Sequence, residues 1–326
     1  MAGSSVPLRA LVLTAGLGTR LRPLTLVRAK AAVPVNGQPL ATRVIRWLAT
    51  RGLHDVILNL HHKPETISAE VGDGSNIGVR VRYSWEQPVL GSAGGPRRAL
   101  PLLTDGGRER FLLVNGDTLT NVDIDAVYAA HRSSGALVTM ALIPNPRPEK
   151  YGGVLLDAES RVTGFTRRSP DAPTYHFIGV QIAEARVFAD LPDGVPHESI
   201  GALYPRLMAE VPGSIRGYVS DATFQDIGTP EDCLETSLAL ATSEGDHTVS
   251  ARATVAGSAR IERSAVWDDV VVGNGARLAD CIVADGARIP EGMTLERCAV
   301  VPASAGEPQD GDRVEGDLLI RPFAQP

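Results

Sequence analysis

The stretch Leu11-Val12-Leu13-Thr14-Ala15-Gly16-Leu17-Gly18-Thr19-Arg20, followed ten residues later by Lys30, decides the reading of this chain. An apolar β-forming run ends at Thr14, where main-chain N–H groups come free, and Gly16 and Gly18 let a phosphate approach them closely. Arg20 adds a planar fork and Lys30 a compact charge, the two side chains best suited to phosphate oxygens. Of the 32 lysines and arginines, just Lys30, Lys63 and Lys150 are lysine, so the chain uses Arg wherever a generic positive charge serves. Lys30 therefore reads as a chosen residue rather than a solvated surface charge. The loop fits neither the dinucleotide fingerprint, for want of a third glycine, nor the Walker pattern, for want of Gly-Lys-Ser/Thr.

Outward from the loop, apolar runs at residues 8–13, 55–60, 79–84, 110–115 and 136–143 alternate with segments of helical period at 39–51, 64–71, 95–102 and 123–132. That alternation predicts an α/β fold, a doubly wound, mainly parallel sheet with ligands at the carboxyl ends of its strands. Further strands are expected at 151–156, 162–165, 176–182 and 215–219, with a helix at 199–210. Thr229 as N-cap, Pro230 at the first helical position and Glu231 and Asp232 in the first turn open a closing helix.

After a linker at residues 243–246 the pattern changes. Aliphatic residues recur at Val249, Val255, Ile261, Val266, Val272, Leu278, Val283, Ile289, Leu295 and Val300, with the spacing six, six, five. This sums to a seventeen-residue coil of three short faces in which Val249, Val266, Val283 and Val300 stack. The ladder resembles the hexapeptide repeat of left-handed β-helices. About three coils is short, so its ends should be capped or its flank packed on another copy. Cys281 and Cys298, one coil apart, read as stacked small hydrophobes rather than a disulfide. The expected organisation is residues 1–242 as a catalytic domain, 248–303 as a left-handed β-helix and 304–326 as a C-terminal tail.

Composition narrows the function classes. A chain of 326 residues suggests about two domains, at roughly 150 residues each. The three cysteines form no close pair, which points to a reducing compartment and away from a zinc knuckle. No segment reads as a leader or a membrane span, so a cytoplasmic protein is expected. A net charge of −6 offers no broad basic face for nucleic acid. Phosphate binding is then local, and the ligand small.

Two aspartates sit where metal ligands would belong. Asp117 follows the apolar run Phe111-Leu112-Leu113-Val114-Asn115-Gly116, and Asp226 directly precedes the closing helix. Taken singly, each fits a turn or capping aspartate as well as a ligand. The full string from Gly16 to Thr25, with Lys30, Val33-Pro34-Val35 and Pro39-Leu40, resembles the signature of the sugar-1-phosphate nucleotidyltransferases, the nucleotide-sugar pyrophosphorylases. Against that signature the two aspartates match the metal-binding pair.

The resemblance implies transfer of a nucleoside monophosphate from a triphosphate to a sugar 1-phosphate, with release of pyrophosphate and dependence on Mg²⁺. Arg20 would hold the triphosphate and its leaving group, Lys30 would contact phosphate near the reacting centre, and Asp117 and Asp226 would hold the Mg²⁺. Nucleotide contacts are implied for Leu13, Ala15, Gly16, Gly18, Thr19, Glu86, Gln87, Gly91, Asn115 and Gly116. Trp85-Glu86-Gln87-Pro88-Val89-Leu90-Gly91-Ser92-Ala93-Gly94-Gly95 resembles the base-reading segment, and its Leu-Gly-Ser-Ala-Gly form is most similar to mannose-1-phosphate guanylyltransferases. Asn59-Leu60-His61-His62 and Gly72-Asp73-Gly74-Ser75 are similar both to those enzymes and to uridylyltransferases of amino-sugar 1-phosphates. GTP with a mannose-like or heptose 1-phosphate is the favoured pair, with UTP or dTTP as alternatives.

The sugar-phosphate contacts implied are Tyr151, Gly152, Gly153, Arg167 and Arg168. Here the chain departs from the pattern: Phe165-Thr166-Arg167-Arg168-Ser169 replaces Phe-x-Glu-Lys-Pro, so a donor stands in place of an acceptor, and Phe177 replaces an Asn. An atypical, anionic or hydroxyl-poor sugar is one reading, and Arg167 turned to solvent the other. A catalytically silent nucleotide-sugar-binding regulator is a rival function. An acyltransferase built on the β-helix is a weaker one, because His247 is the sole histidine after Asp226. The partners expected are small-molecule substrates, with no nucleic acid and no membrane, and self-association into a homo-oligomer.

Overall fold

A computed structural model describes residues 8–167 and 173–324. By internal contacts the chain forms two compact units. The first comprises residues 1–16, 43–64 and 71–225, and the second residues 17–42, 65–70 and 226–326.

The first unit is built on the mixed, mainly parallel sheet expected. Strand Ala10–Leu13 lies parallel between Asp55–Leu60 and Arg110–Asn115, and Arg80–Trp85 continues the parallel set beyond Asp55–Leu60. The long strand Tyr175–Glu184 then runs antiparallel to Arg110–Asn115 and to Val138–Pro144, which carries Ile215–Val219 in parallel on its other side. Gly153–Leu156 and Val162–Thr166 complete the sheet. The three strands at its parallel centre are buried almost throughout, which is why they read as unbroken apolar runs. Phe111, Phe188 and Tyr204 anchor the core, with Phe111 and Phe188 ring centroids 5.7 Å apart. Each such side chain contributes ~2 to 3 kcal/mol by leaving water.

Helix Gly91–Thr104 begins four residues before the expected start, at the glycines of the base-reading segment. Helical period is carried by apolar side chains, and Gly91, Gly94 and Gly95 carry none. The segment expected as one helix over 199–210 opens as a π turn, Ser199–Leu203, and continues as the α-helix Tyr204–Glu210. A two-stranded ribbon of Thr118–Thr120 with Phe224–Asp226, the strand on which this unit ends, was not foreseen. Three residues are too few to show a period.

The second unit holds the signature arm, the closing helix and the β-helix. Helix Pro230–Glu244 has the expected start: the Thr229 hydroxyl accepts from the Asp232 N–H, and the Asp232 carboxylate accepts from the Thr229 N–H at 3.0 Å, a full capping box. The solenoid has the seventeen-residue register read from sequence. Val249 pairs with Val266, Val266 with Val283 and Val283 with Val300, while Val255–Val272–Ile289 and Ile261–Leu278–Leu295 form the other two columns. From Val266 onward the three columns, with Cys281 and Cys298, make the solenoid core, while Val249 and Val255 at the first coil are exposed. The two sulfurs are 3.6 Å apart as buried free thiols, so the cysteines serve as packing. Leu318–Pro322 lies antiparallel on Cys298–Pro302 and Arg313–Glu315 on Leu318–Pro322, so part of the tail caps one end of the coils. Among the described residues no helix is long and apolar enough to cross a membrane.

Candidate active site

In the first unit, the carboxyl ends of two neighbouring strands present the expected residues. Leu13 pairs with Asn115, so the chain leaves the sheet as Thr14-Ala15-Gly16 on one strand and as Gly116-Asp117 on the next. The first exit is held by Asn59. Its Oδ1 accepts from the Thr14 N–H at 2.6 Å and from the Ala15 N–H at 3.3 Å, and its main-chain carbonyl accepts from the Thr14 hydroxyl. Gly116 donates its N–H to the Leu13 carbonyl at 3.0 Å, joining the second exit to the first. Gly179 closes against both Asn115 and Thr118. Its φ is +75°, and a Cβ there would lie 2.9 Å from the Asn115 Cβ and 3.0 Å from the Thr118 hydroxyl oxygen. Asp117 is half-buried between these constraints.

The segment expected to read the base has a buried side and an exposed one. Glu86 is 5% exposed, and its carboxylate accepts from Asn59 Nδ2 at 2.7 Å and from the Leu90 N–H at 2.8 Å. Its carboxylate is turned inward, tying the signature strand to the start of helix Gly91–Thr104. Gln87 is exposed. Gly91 lies against Glu198 and His197, and Gly94 against the Val195 carbonyl, so a side chain at either would collide with the chain itself.

The expected sugar pocket contains a group that sequence reasoning missed. The His176 ring centroid lies 4.4 Å from that of Tyr151 and 4.5 Å from that of Phe224, and Tyr151 and Phe224 meet edge to face at 5.6 Å. Both ring nitrogens of His176 are shielded from solvent, and the ring's polar neighbour is the Gly152 main chain, which lies too poorly aligned for a full hydrogen bond. Burial pushes its pKa down to about 4, so the imidazole is neutral near pH 7. Gly152 is exposed, Gly153 packs on Thr174, and Arg167 is exposed at the end of its strand. Arg168 lies outside the described residues. Phe177 points to the core side, packed against the main hydrophobic cluster, as strand alternation with His176 requires.

In the second unit, the signature arm folds into three short turns, Thr19–Leu21, Leu24–Leu26 and Lys30–Ala32. Gly18 takes a left-handed conformation with φ +61°, and its carbonyl accepts from the Thr25 hydroxyl at 3.0 Å. A Cβ at Gly18 would meet the Lys30 Cβ at 3.0 Å, so the lysine stem lies across this glycine. Thr19 and Arg20 are exposed. Arg20 and Asp226 come together at Gly228, where a Cβ would meet Arg20 Nη1 at 3.0 Å and Asp226 Oδ2 at 3.1 Å. A guanidinium and a carboxylate thus share one small-residue niche at the start of the closing helix.

No group of three or more His, Cys, Asp or Glu residues arranged for a metal occurs among the described residues. An ion such as Mg²⁺ needs fewer protein ligands than that, taking one or two carboxylates and completing its shell with phosphate and water oxygens. Asp117 in the first unit and Asp226 in the second are each half-buried beside a strand end, and each is a hard oxygen donor.

The family model described as "Nucleotidyl transferase" matches residues 9–243. The chain belongs to that family. Among relatives of this nucleotidyltransferase, a mannose-1-phosphate guanylyltransferase of Mycobacterium tuberculosis is 33% identical over 300 residues, covering 88% of this chain and 83% of its own. A D-glycero-alpha-D-manno-heptose 1-phosphate guanylyltransferase of Aneurinibacillus thermoaerophilus is 31% identical over 227 residues, 69% of this chain and 95% of its own. Among solved structures, HddC from Yersinia pseudotuberculosis complexed with GMP-PN aligns with a TM-score of 0.62 at 22% identity, covering 72% of this chain and 99% of that one. The structural likeness shows the nucleotidyltransferase fold.

Proposed function

We propose that this enzyme transfers a guanylyl group from GTP to a mannose-like or heptose 1-phosphate, releasing pyrophosphate and forming a GDP-sugar. The observation that carries the reading is the meeting of Arg20 and Asp226 at Gly228 on the arm whose sequence is the family signature. A guanidinium beside a carboxylate that can hold a cation is what a triphosphate requires. The guanylyltransferase names of the two relatives favour GTP and a manno-configured sugar.

A phosphate oxygen of the sugar 1-phosphate attacks the α-phosphorus in line. The new oxygen–phosphorus bond forms as the bond from the α-phosphorus to the bridging oxygen breaks, and that oxygen leaves with pyrophosphate. Asp117 and Asp226 are the residues that would hold Mg²⁺, which would supply charge neutralisation and orientation of the phosphates. Arg20 binds the triphosphate and holds the leaving pyrophosphate, and Lys30 contacts phosphate at the reacting centre. The main chain from Leu13 to Thr19 and from Asn115 to Gly116 borders the nucleotide. Gln87, exposed beside the inward Glu86, is the group that meets the base edge. Tyr151, Gly152 and Gly153, with the neutral His176, border the sugar. The shielded, neutral ring of His176 can offer a nitrogen to a sugar hydroxyl. Arg167 and Arg168 remain as phosphate contacts or as donors to an anionic sugar.

The likeness of Asn59-Leu60-His61-His62 to uridylyltransferases favours UTP as a second reading, with dTTP after it. Arg167 in place of a carboxylate favours a third, a silent nucleotide-sugar-binding regulator. Pyrophosphate release measured with Mg²⁺ across GTP, UTP, dTTP, ATP and CTP and a panel of sugar 1-phosphates separates them. Fastest turnover with GTP and a manno-configured sugar is expected. Preference for UTP overturns the base assignment, and tight GDP-sugar binding without turnover favours the regulator. Self-association in the cytoplasm belongs to the same reading, since strand Thr254–Val255 ends its sheet with Val255 exposed.

A further inference from the structure

We propose that Arg28 is a positioning residue for Lys30 and that two successive coils of the β-helix supply its seat, which makes the solenoid part of the catalytic apparatus. This rests on the reading of Lys30 as a phosphate contact.

Arg28 is 9% exposed, and every nitrogen of its guanidinium is engaged. Nε donates to Asp285 Oδ2 at 2.5 Å and Nη2 to Asp285 Oδ1 at 3.0 Å, a two-pronged grip. Nη2 also donates to Asp268 Oδ2 at 2.6 Å, and Nη1 to Glu70 Oε1 at 2.8 Å. The Trp267 ring centroid lies 6.0 Å from its Cζ. Asp268 and Asp285 are seventeen residues apart, one coil of the solenoid, and the Asp268 N–H donates to Asp285 Oδ1 at 3.1 Å. Each carboxylate is thus held by the coils as well as by Arg28, Asp285 on the Asp268 N–H and Asp268 on the Ser250 hydroxyl. Burial opposes the charge of Asp268, but hydrogen bonds from Ser250 and Arg28 hold its carboxyl below the usual range. A buried ion cluster is weak evidence for stability, since apolar packing often does as well. It does impose a geometry: a guanidinium held on three sides cannot shift along the solenoid.

That geometry passes to Lys30 over two residues. The Ala29 N–H donates to Thr66 Oγ1 at 3.0 Å, and Lys30 opens a turn whose next two residues are buried. The far side of the lysine stem lies on Gly18. Lys30 is therefore clamped between the signature glycine and a residue seated on the β-helix.

The test is a double-mutant cycle on the full chain, using the triphosphate and sugar 1-phosphate pair that the substrate panel shows to be fastest. Arg28→Ala should lower kcat by about tenfold to 100-fold, as a displaced phosphate contact does, with little change in triphosphate KM. Arg28→Lys should recover it only in part, because an ammonium cannot make the fork. In the Lys30→Ala background, Arg28→Ala should cause no further loss of kcat. Asp285→Asn, a milder change, runs through the same cycle should Arg28→Ala fail to fold. Losses that multiply in the double variant, or Arg28 and Asp285 variants that lower the melting temperature at unchanged kcat, overturn the proposal and leave Lys30 in its role. Lys30→Ala at full kcat, or no turnover with any pair, overturns the reading of Lys30 and this proposal with it.

Discussion

Asn59 donates its side-chain N–H to Glu86 across 2.7 Å in the buried interior, and the same asparagine accepts from the N–H of Thr14. Glu86 thereby fixes the start of the loop that follows Leu13, with both its oxygens engaged within the chain. Glu86→Gln replaces an acceptor oxygen with a donor amide, which cannot satisfy both Asn59 Nδ2 and the Leu90 N–H. We expect a loss of about 1 to 3 kcal/mol in unfolding free energy, measured by urea denaturation. The rank order of triphosphates should not change in that variant, whereas Gln87→Ala should alter it. A reordering by Glu86→Gln would place Glu86 at the base after all.

Gly179 connects the long antiparallel strand to the site. An alanine there would be strained at φ +75° and would push on Asn115 and the Thr118 hydroxyl, which flank Asp117. Gly179→Ala should lower kcat by about 100-fold through displacement of that strand end. Steady-state kinetics with circular dichroism on the same sample would check that the fold persists.

For His176 the pH dependence has a definite sign. Its folded pKa lies below the ordinary 6.5, so the fold favours the neutral ring. That contribution to stability is complete above pH 6.5, shrinks as the pH falls, and is lost through about pH 4. The ring protons should titrate near 4 by NMR. His176→Phe should flatten this part of the stability curve and raise the KM for sugar 1-phosphate about tenfold, the worth of one hydrogen bond. A ring titrating near 6.5 would show it to be solvated.

Asp117→Ala, Asp226→Ala and Arg20→Ala should each cost about 100-fold to 1,000-fold in turnover while folding normally, as losing an electrostatic stabiliser does. Magnesium titrations should shift to higher concentration for the two aspartate variants and stay in place for Arg20→Ala. An aspartate variant with wild-type turnover would reduce that residue to a turn or cap.

The solenoid was legible because a parallel coil repeats its inward positions at a fixed interval, so Val249, Val266, Val283 and Val300 announce their own stacking. The capping box at Thr229 was legible because all its parts lie within four residues. Glu86 was within reach: buried Ser84, exposed Trp85 and buried Glu86 continue the strand's alternation, which places the carboxylate inside. Phe177 follows the same rule in reverse, its ring packing against the main hydrophobic cluster. Arg28 gave no local signal among so many arginines, since its carboxylates come from 42, 240 and 257 residues away. The recurrence of Asp268 and Asp285 at the coil period is the one hint that could have found it.

The central claim is guanylyl transfer to a sugar phosphate. ³¹P NMR of the purified protein with GTP, mannose 1-phosphate and Mg²⁺ tests it most directly. The account predicts loss of the GTP β- and γ-resonances in step with the appearance of pyrophosphate and the paired signals of a GDP-sugar, with no such change in the Asp117→Ala variant. Unchanged spectra with mannose and heptose 1-phosphates alike, from protein that binds GTP, would contradict it.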